Sequence, residues 1–175
     1  MSRWLRLLPV GVLLLVVAGL VWRLANPADT AVRSRLAGQP LPAFSLLPIA
    51  AGKPGVASAD LATNGPKLLN LFASWCVPCI AEAPVLEVLE QRGVRIAAIA
   101  IRDRPEDVAR FLELYGDPFE RIGSDPTSRV QLALGSSGVP ESFVVDGRGV
   151  IRYQHIGPIA AGDVPVILAE LEKAR

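Results

Sequence analysis

The hydrophobic residues of this chain fall into one long block and a series of short runs. The block, LLPVGVLLLVVAGLVW from Leu7 to Trp22, carries no charge and has no polar face. A helix packed on a globular core would keep such a face, so the block suits an apolar solvent. As a helix it would be roughly 24 Å long, slightly short of a bilayer core of about 30 Å. Leu5 and Leu24 extend it, Arg6 and Arg23 can snorkel, and Trp4 and Trp22 stand where interfacial aromatics are expected. An uncleaved membrane anchor over residues 1–25 fits better than a cleaved signal peptide, because no A-x-A pattern follows the block. The cleaved form stays open. Arg3 and Arg6 on one side and Arg23, Arg33 and Arg35 on the other leave its orientation undecided by charge.

Residues 26–38 are mixed polar and small and read as a tether; a folded domain is expected over 39–175. The prolines of QPLPAFSLLPI (Gln39 to Ile49) frame an edge strand near Phe44 to Leu47. Gly52 to Gly65 reads as loop, with one helical turn at Ser58 to Ala62. KLLNLFA (Lys67 to Ala73) is short and apolar enough for a buried strand. Val77 to Gln91 has helical periodicity, with Val85, Leu86 and Leu89 inward and Glu87, Glu90 and Arg92 outward, and Gly93 stops it. VRIAAIAI (Val94 to Ile101) is apolar on both faces, as a central parallel strand should be. Pro105 opens a helix to Leu114. A short strand at Phe119 to Ile122 and a short helix at Ser128 to Leu134 follow.

Ser142 to Gly157, SFVVDGRGVIRYQHIG, reads as a hairpin about Asp146-Gly147-Arg148-Gly149, and Gly162 to Lys173 as a closing helix with Val166, Ile167 and Leu171 inward. Strand, helix, strand, helix, hairpin and helix in this order give an α/β domain. A right-handed β-α-β crossover starts its sheet and the hairpin adds antiparallel strands, a thioredoxin-like fold with a central mixed sheet flanked by helices. Charge adds an exclusion: 18 Lys and Arg stand against 17 Asp and Glu, with no basic run, which argues against a nucleic-acid partner.

The chemistry gathers at LFASWCVPCIAEAP (Leu71 to Pro84), which holds the chain's two cysteines, Cys76 and Cys79. They follow a buried strand and open a helix. Unpaired N–H groups and the helix dipole there favour a thiolate at Cys76, lowering its pKa from about 8.5. Cys79 lies on the same face, within disulfide reach, and Pro78 is tolerated in the first turn. Pro84 sits inside the helix and predicts a kink. A structural zinc site would need four ligands, and one histidine, His155, accompanies the two thiols. A clip closing so small a loop would constrain the unfolded chain little. A redox pair is the reading that uses both thiols.

Val139-Pro140-Glu141 is the second element. Pro140, just before a β-run that faces the helix start, is a candidate cis peptide that leaves nearby backbone free to hold an extended peptide. Glu141 and Glu82 are carboxylates that could act as base when the second thiol loses its proton, or could be solvated surface groups.

LLNLFASWCVPCIAEAP, GVPESFVVDGRGVIRYQHIGPI, GQPLPAFSLLPI and the N-terminal block together resemble the membrane-anchored thioredoxin-like proteins of cytochrome c maturation, the CcmG/DsbE type of the TlpA/ResA-like group. The resemblance spans Gly38 to Gly157 plus the anchor. It implies Cys76 as exposed nucleophile, Cys79 as resolving thiol, Pro140 as cis-proline, and Glu141 and Glu82 as acidic site residues. Trp75, Val139 and Pro140 would line the substrate groove. Asn70 stands where thioredoxins keep a buried aspartate, which shifts proton handling to the two glutamates. Ser136-Ser137 departs from the family's apolar or aromatic pair and bears on partner preference.

The implied activity is a thiol-disulfide reductant with no cofactor beyond the redox-active Cys76–Cys79 pair and no metal. Its partners would be apocytochrome c, the haem-attachment machinery and a DsbD- or CcdA-type transmembrane thiol reductase. Its place would be the bacterial inner membrane, single-pass, with the soluble domain in the periplasm. Alternatives are a general TlpA/ResA-like thiol reductase, a DsbA-type oxidant, and a copper metallochaperone using the Cys pair with His155.

Overall fold

The computed structural model describes residues 3–25 and 36–175. They separate into an N-terminal helix, α1 (Arg3–Ala25), and a body, each treated by itself. In α1 the large apolar side chains Val12 to Val17, Val21 and Trp22 are exposed. Among the described residues no helix is long and apolar enough to cross a membrane. The tether expected over 26–38 lies outside the described residues up to residue 35. Packing of the body is under way by Leu36, which lies against a buried core, and Gly38 donates to the Ile151 carbonyl at 2.7 Å.

The body is built on a five-stranded sheet in the order β5-β4-β3-β6-β7. Its strands are β3 (Lys67–Phe72), β4 (Ile96–Ile101), β5 (Arg121–Asp125), β6 (Glu141–Val145) and β7 (Ile151–Ile156). β3, β4 and β5 are parallel, while β6 and β7 run antiparallel to their neighbours, so the expected mixed sheet is present. Every residue of β3, β4 and β6 is buried, which is why these runs show no alternation in sequence.

Alternation reappears in how the two cores divide. Leu68, Phe72, Ala98, Ala100 and Val144 face one core, with α3 (Val77–Gln91), α4 (Pro105–Tyr115) and α6 (Val164–Lys173) packed over them. Leu69, Leu71, Ile99, Phe143 and Val145 face the other, under α2 (Ser58–Leu61) and α5 (Arg129–Ala133).

Several local expectations shift. The strand expected at Phe119 to Ile122 begins at Arg121, and Phe119 instead fills the core, its ring 5.3 Å from that of Phe72. The stretch taken as loop contributes β2 (Val56–Ala57), which pairs with β1 (Ser45–Leu46). Gly123 lets that pair lie across β5, since a Cβ there would stand 2.8 Å from Leu46 Cβ. In α6 the inward residues are Val164, Ile167 and Leu171; Val166 faces out, 46% exposed, because spacings of three and four set the face. Pro84 lies inside α3 and is exposed. The hairpin turn closes at Asp146 and Gly149, and Gly149 supplies the positive φ of +77°.

Candidate active site

β3 delivers the chain from the centre of the sheet to Ser74 and Trp75, and α3 starts immediately after Cys76. Asp103, in the loop after β4, accepts from Ser74 N–H at 2.6 Å and Ser74 Oγ at 2.7 Å, pinning this junction. Trp75 Nε1 donates to the Arg102 carbonyl at 3.4 Å, and its ring stays 60% exposed beside Val77, 73% exposed. Sequence reasoning missed Asp103; a charged residue just past a strand end is its one sequence signal.

Cys76 is the N-cap of α3 and is disulfide-bonded to Cys79, with Cα atoms 5.2 Å apart. Its sulfur accepts from Cys79 N–H at 3.3 Å, one of the first-turn donors that helix geometry leaves unpaired. When the disulfide opens, that N–H and the dipole stabilise negative charge on Cys76. Both cysteines are largely covered, Cys76 5% and Cys79 2% exposed. The nucleophile expected to be exposed is thus buried in the disulfide form, while its chain neighbours Trp75 and Val77 are exposed.

The Val139–Pro140 peptide is cis, as the sequence suggested. The Val139 carbonyl oxygen lies 3.6 Å from Cys76 Sγ, so the cis-proline loop lies directly against the disulfide. Pro140 O accepts from Gly157 N–H at 3.0 Å, which ties this loop to the end of β7.

The two glutamates part company. Glu82, on α3 three residues after Cys79, is 1% exposed and faces the core that holds both cysteines. Burial pushes its carboxyl up to about 8, against the opposing pull of hydrogen bonds from the Ile159 backbone and Asn70. Asn70 Nδ2 donates to Glu82 Oε1 at 3.2 Å and to Ser142 Oγ at 3.0 Å, while Asn70 Oδ1 is buried without a partner. Asn70, Ser142 and His155 stand side by side in the register of β3, β6 and β7, on that same face. His155 Nε2 is 3.3 Å from the Pro158 carbonyl and 3.9 Å from Asp163 Oδ2, engaged with the loop before α6.

Glu141 pairs with Leu71 in the register, one residue out of step with Ser142 and Asn70, so its side chain lies on the other face of the sheet. There it is 1% exposed and accepts from Ser137 N–H at 2.9 Å, Ser137 Oγ at 2.6 Å and Gln154 Nε2 at 2.8 Å. The structure thus brings Cys76, Cys79, Glu82, Trp75, Val139 and Pro140 to one end of one face and directs the Glu141 carboxylate away from it. Ser137 and Gln154 were not legible as its partners. Among the described residues no three His, Cys, Asp or Glu gather to hold a metal ion.

A disulfide at a helix N-terminus, walled by a cis-proline carbonyl and backed by a buried carboxyl, can be opened by a thiolate, and the resulting dithiol can reduce another disulfide and move the accompanying proton. Known proteins agree. The redoxin family model matches residues 36–171. The thiol:disulfide interchange protein HelX of Rhodobacter capsulatus is 40% identical over 150 residues, covering 83% of this chain and 85% of its own. DsbE of Escherichia coli, also a thiol:disulfide interchange protein, is 36% identical over 165 residues, covering 91% and 88%. A DsbE-type protein from Chlorobium tepidum superposes with a TM-score of 0.64 at 25% identity, over 79% of this chain and 96% of that one. Thioredoxin-like fold, dithiol geometry and relatives converge: the chain belongs to the redoxin family, among the DsbE/HelX thiol:disulfide interchange proteins, and is a thiol-disulfide oxidoreductase.

Proposed function

We propose that this oxidoreductase is the membrane-anchored reductant of a cytochrome c maturation system, opening the disulfide of an apocytochrome C-x-x-C-H segment before haem attachment. The observation that carries it is the buried Glu82 behind the Cys76–Cys79 pair, an arrangement suited to completing a reduction. The Cys76 thiolate attacks one sulfur of the substrate disulfide; that S–S bond breaks, the other substrate sulfur leaves as thiolate, and a mixed disulfide forms. Glu82, after giving its own proton to solvent, takes the Cys79 proton; Cys79 attacks Cys76 Sγ, and the second substrate thiolate departs. Two electrons pass to the substrate and the protein is left as its disulfide. A carboxyl raised by burial to about 8 is a far stronger base than an ordinary carboxylate, which suits it to taking a thiol proton.

The disulfide is the whole redox group, and a DsbD- or CcdA-type transmembrane thiol reductase regenerates the dithiol. The N-terminal apolar block is read as the element that anchors the protein at the bacterial inner membrane, with the body on the periplasmic side. The exposed apolar run Val12 to Val17 supports this, since such a surface needs a nonaqueous partner. Anchoring raises the effective concentration of dithiol near its reductant and client.

The test is Cys79→Ser in the full-length chain in its native membrane. The mixed disulfide then stalls, and apocytochrome c or a haem-attachment component is expected on Cys76. Capture of other thiol proteins without either would move the assignment to a general thiol reductase of the TlpA/ResA kind.

A further inference from the structure

Glu141 is buried and next to the cis-proline, yet the register of β6 against β3 puts its side chain across the sheet from both cysteines and Glu82. What it touches is specific. One carboxylate oxygen takes both donors of Ser137, and the other takes the Gln154 amide. Ser137 lies four residues upstream, so these bonds close a short loop, Ser137-Gly138-Val139-Pro140-Glu141, at its base. Ser136 Oγ adds a bond to the Gly138 carbonyl at 2.9 Å inside the same loop. At the tip is the Val139 carbonyl, 3.6 Å from Cys76 Sγ. Gln154 fastens the base of the loop to β7, whose far end already meets Pro140 O through Gly157 N–H.

We propose that Ser137 and Gln154 are positioning residues, which through the Glu141 carboxylate buckle the cis-proline loop at the distance from Cys76 where an incoming peptide disulfide is received. Glu141 then acts on substrate reception and leaves proton transfer to Glu82. The Ser136-Ser137 pair gains a physical role: a small hydroxyl residue at 137 offers two donors to one carboxylate oxygen, which an apolar side chain there could not do. The inference rests on the thiol-disulfide exchange activity and is independent of which client is reduced.

The experiment compares the full-length protein with Ser137→Ala, Ser137→Thr and Gln154→Ala on two substrates. Insulin offers a polypeptide disulfide that must fill the groove; hydroxyethyl disulfide is too small to need it. With insulin, Ser137→Ala and Gln154→Ala are expected to raise KM about three- to tenfold with kcat little changed, the scale of one lost ordinary hydrogen bond. With hydroxyethyl disulfide the change stays under about twofold, Ser137→Thr restores the insulin KM, and the pH–rate profile keeps its wild-type midpoint. The proposal is overturned if both substrates slow alike, if neither slows, or if the midpoint moves as it does in Glu82→Gln. Using insulin keeps this outcome separate from the client assignment, which the trapping experiment alone decides.

Discussion

Replacing Glu82 by Gln keeps the shape and the Asn70 contact but removes a carboxyl that burial has pushed from 4.5 up to about 8. The linkage has a definite sign. Between those two values the folded protein holds a proton that the unfolded chain has released, so unfolding releases protons and stability falls as pH rises. At about 1.4 kcal/mol per pH unit, the full interval corresponds to a loss of about 5 kcal/mol, of which about 3 kcal/mol has accrued by about pH 7. That is a large part of an ordinary domain stability of about 5–15 kcal/mol, and few other groups compete within the window. The low value of Asp146, about 2, acts only in acid, and burial of Lys67 acts on the alkaline side. The assay is urea unfolding of the oxidised protein from about pH 5 to about pH 8.5. Wild type should lose stability steadily over this range. Glu82→Gln should lose far less, matching wild type at the acid end and exceeding it by several kcal/mol at the alkaline end. Parallel curves for the two proteins would refute the reasoning, as would a wild-type curve that is flat.

Two further substitutions probe the same electrostatics. Asn70→Ala removes a donor to the Glu82 carboxylate and should move the Glu82-dependent midpoint of the single-turnover pH–rate profile upward; an unmoved or lowered midpoint would show that Asn70 does not tune this group. At Asp146 burial pushes the carboxyl up, but the Val150 and Arg148 N–H groups and Arg152 outweigh it and hold it at about 2. Asp146→Asn should cost about 2 kcal/mol near neutrality, a difference that fades as pH falls through about 4 to about 2; thermal unfolding across that range checks it.

The order of elements, the mixed sheet, the strand-to-helix seat of Cys76 and the cis bond at Pro140 are all legible in sequence. Each is written locally, in apolar run lengths, in Gly93 and Pro105 as stops and starts, and in the W-C-x-P-C spacing. Glu82 could be placed behind the dithiol because positions three apart share a helix face, though the size of its shift depends on Ile159 and Asn70 from distant elements. Glu141 could not be placed. Its face depends on whether β6 meets β3 at Leu71 or one residue away, and a slip of one residue would exchange its role with that of Ser142. The pairing of β1 with β2 is likewise non-local: two residues each, joined across a loop, leave too little pattern to read. Val166 failed for a simpler reason, since an apolar residue between two inward ones need not itself be inward.

The central claim is that Cys76 attacks, Cys79 resolves, and a C-x-x-C-H disulfide is reduced as a result. The direct measurement is a single-turnover reaction of the reduced protein with a disulfide-bonded apocytochrome C-x-x-C-H peptide, quenched with acid and resolved by mass. Wild type should yield free dithiol peptide and oxidised protein. Cys79→Ser should stall as a stoichiometric adduct at Cys76, and Cys76→Ser should leave the peptide oxidised. Peptide reduction by Cys76→Ser, or absence of the adduct in Cys79→Ser, would contradict the account.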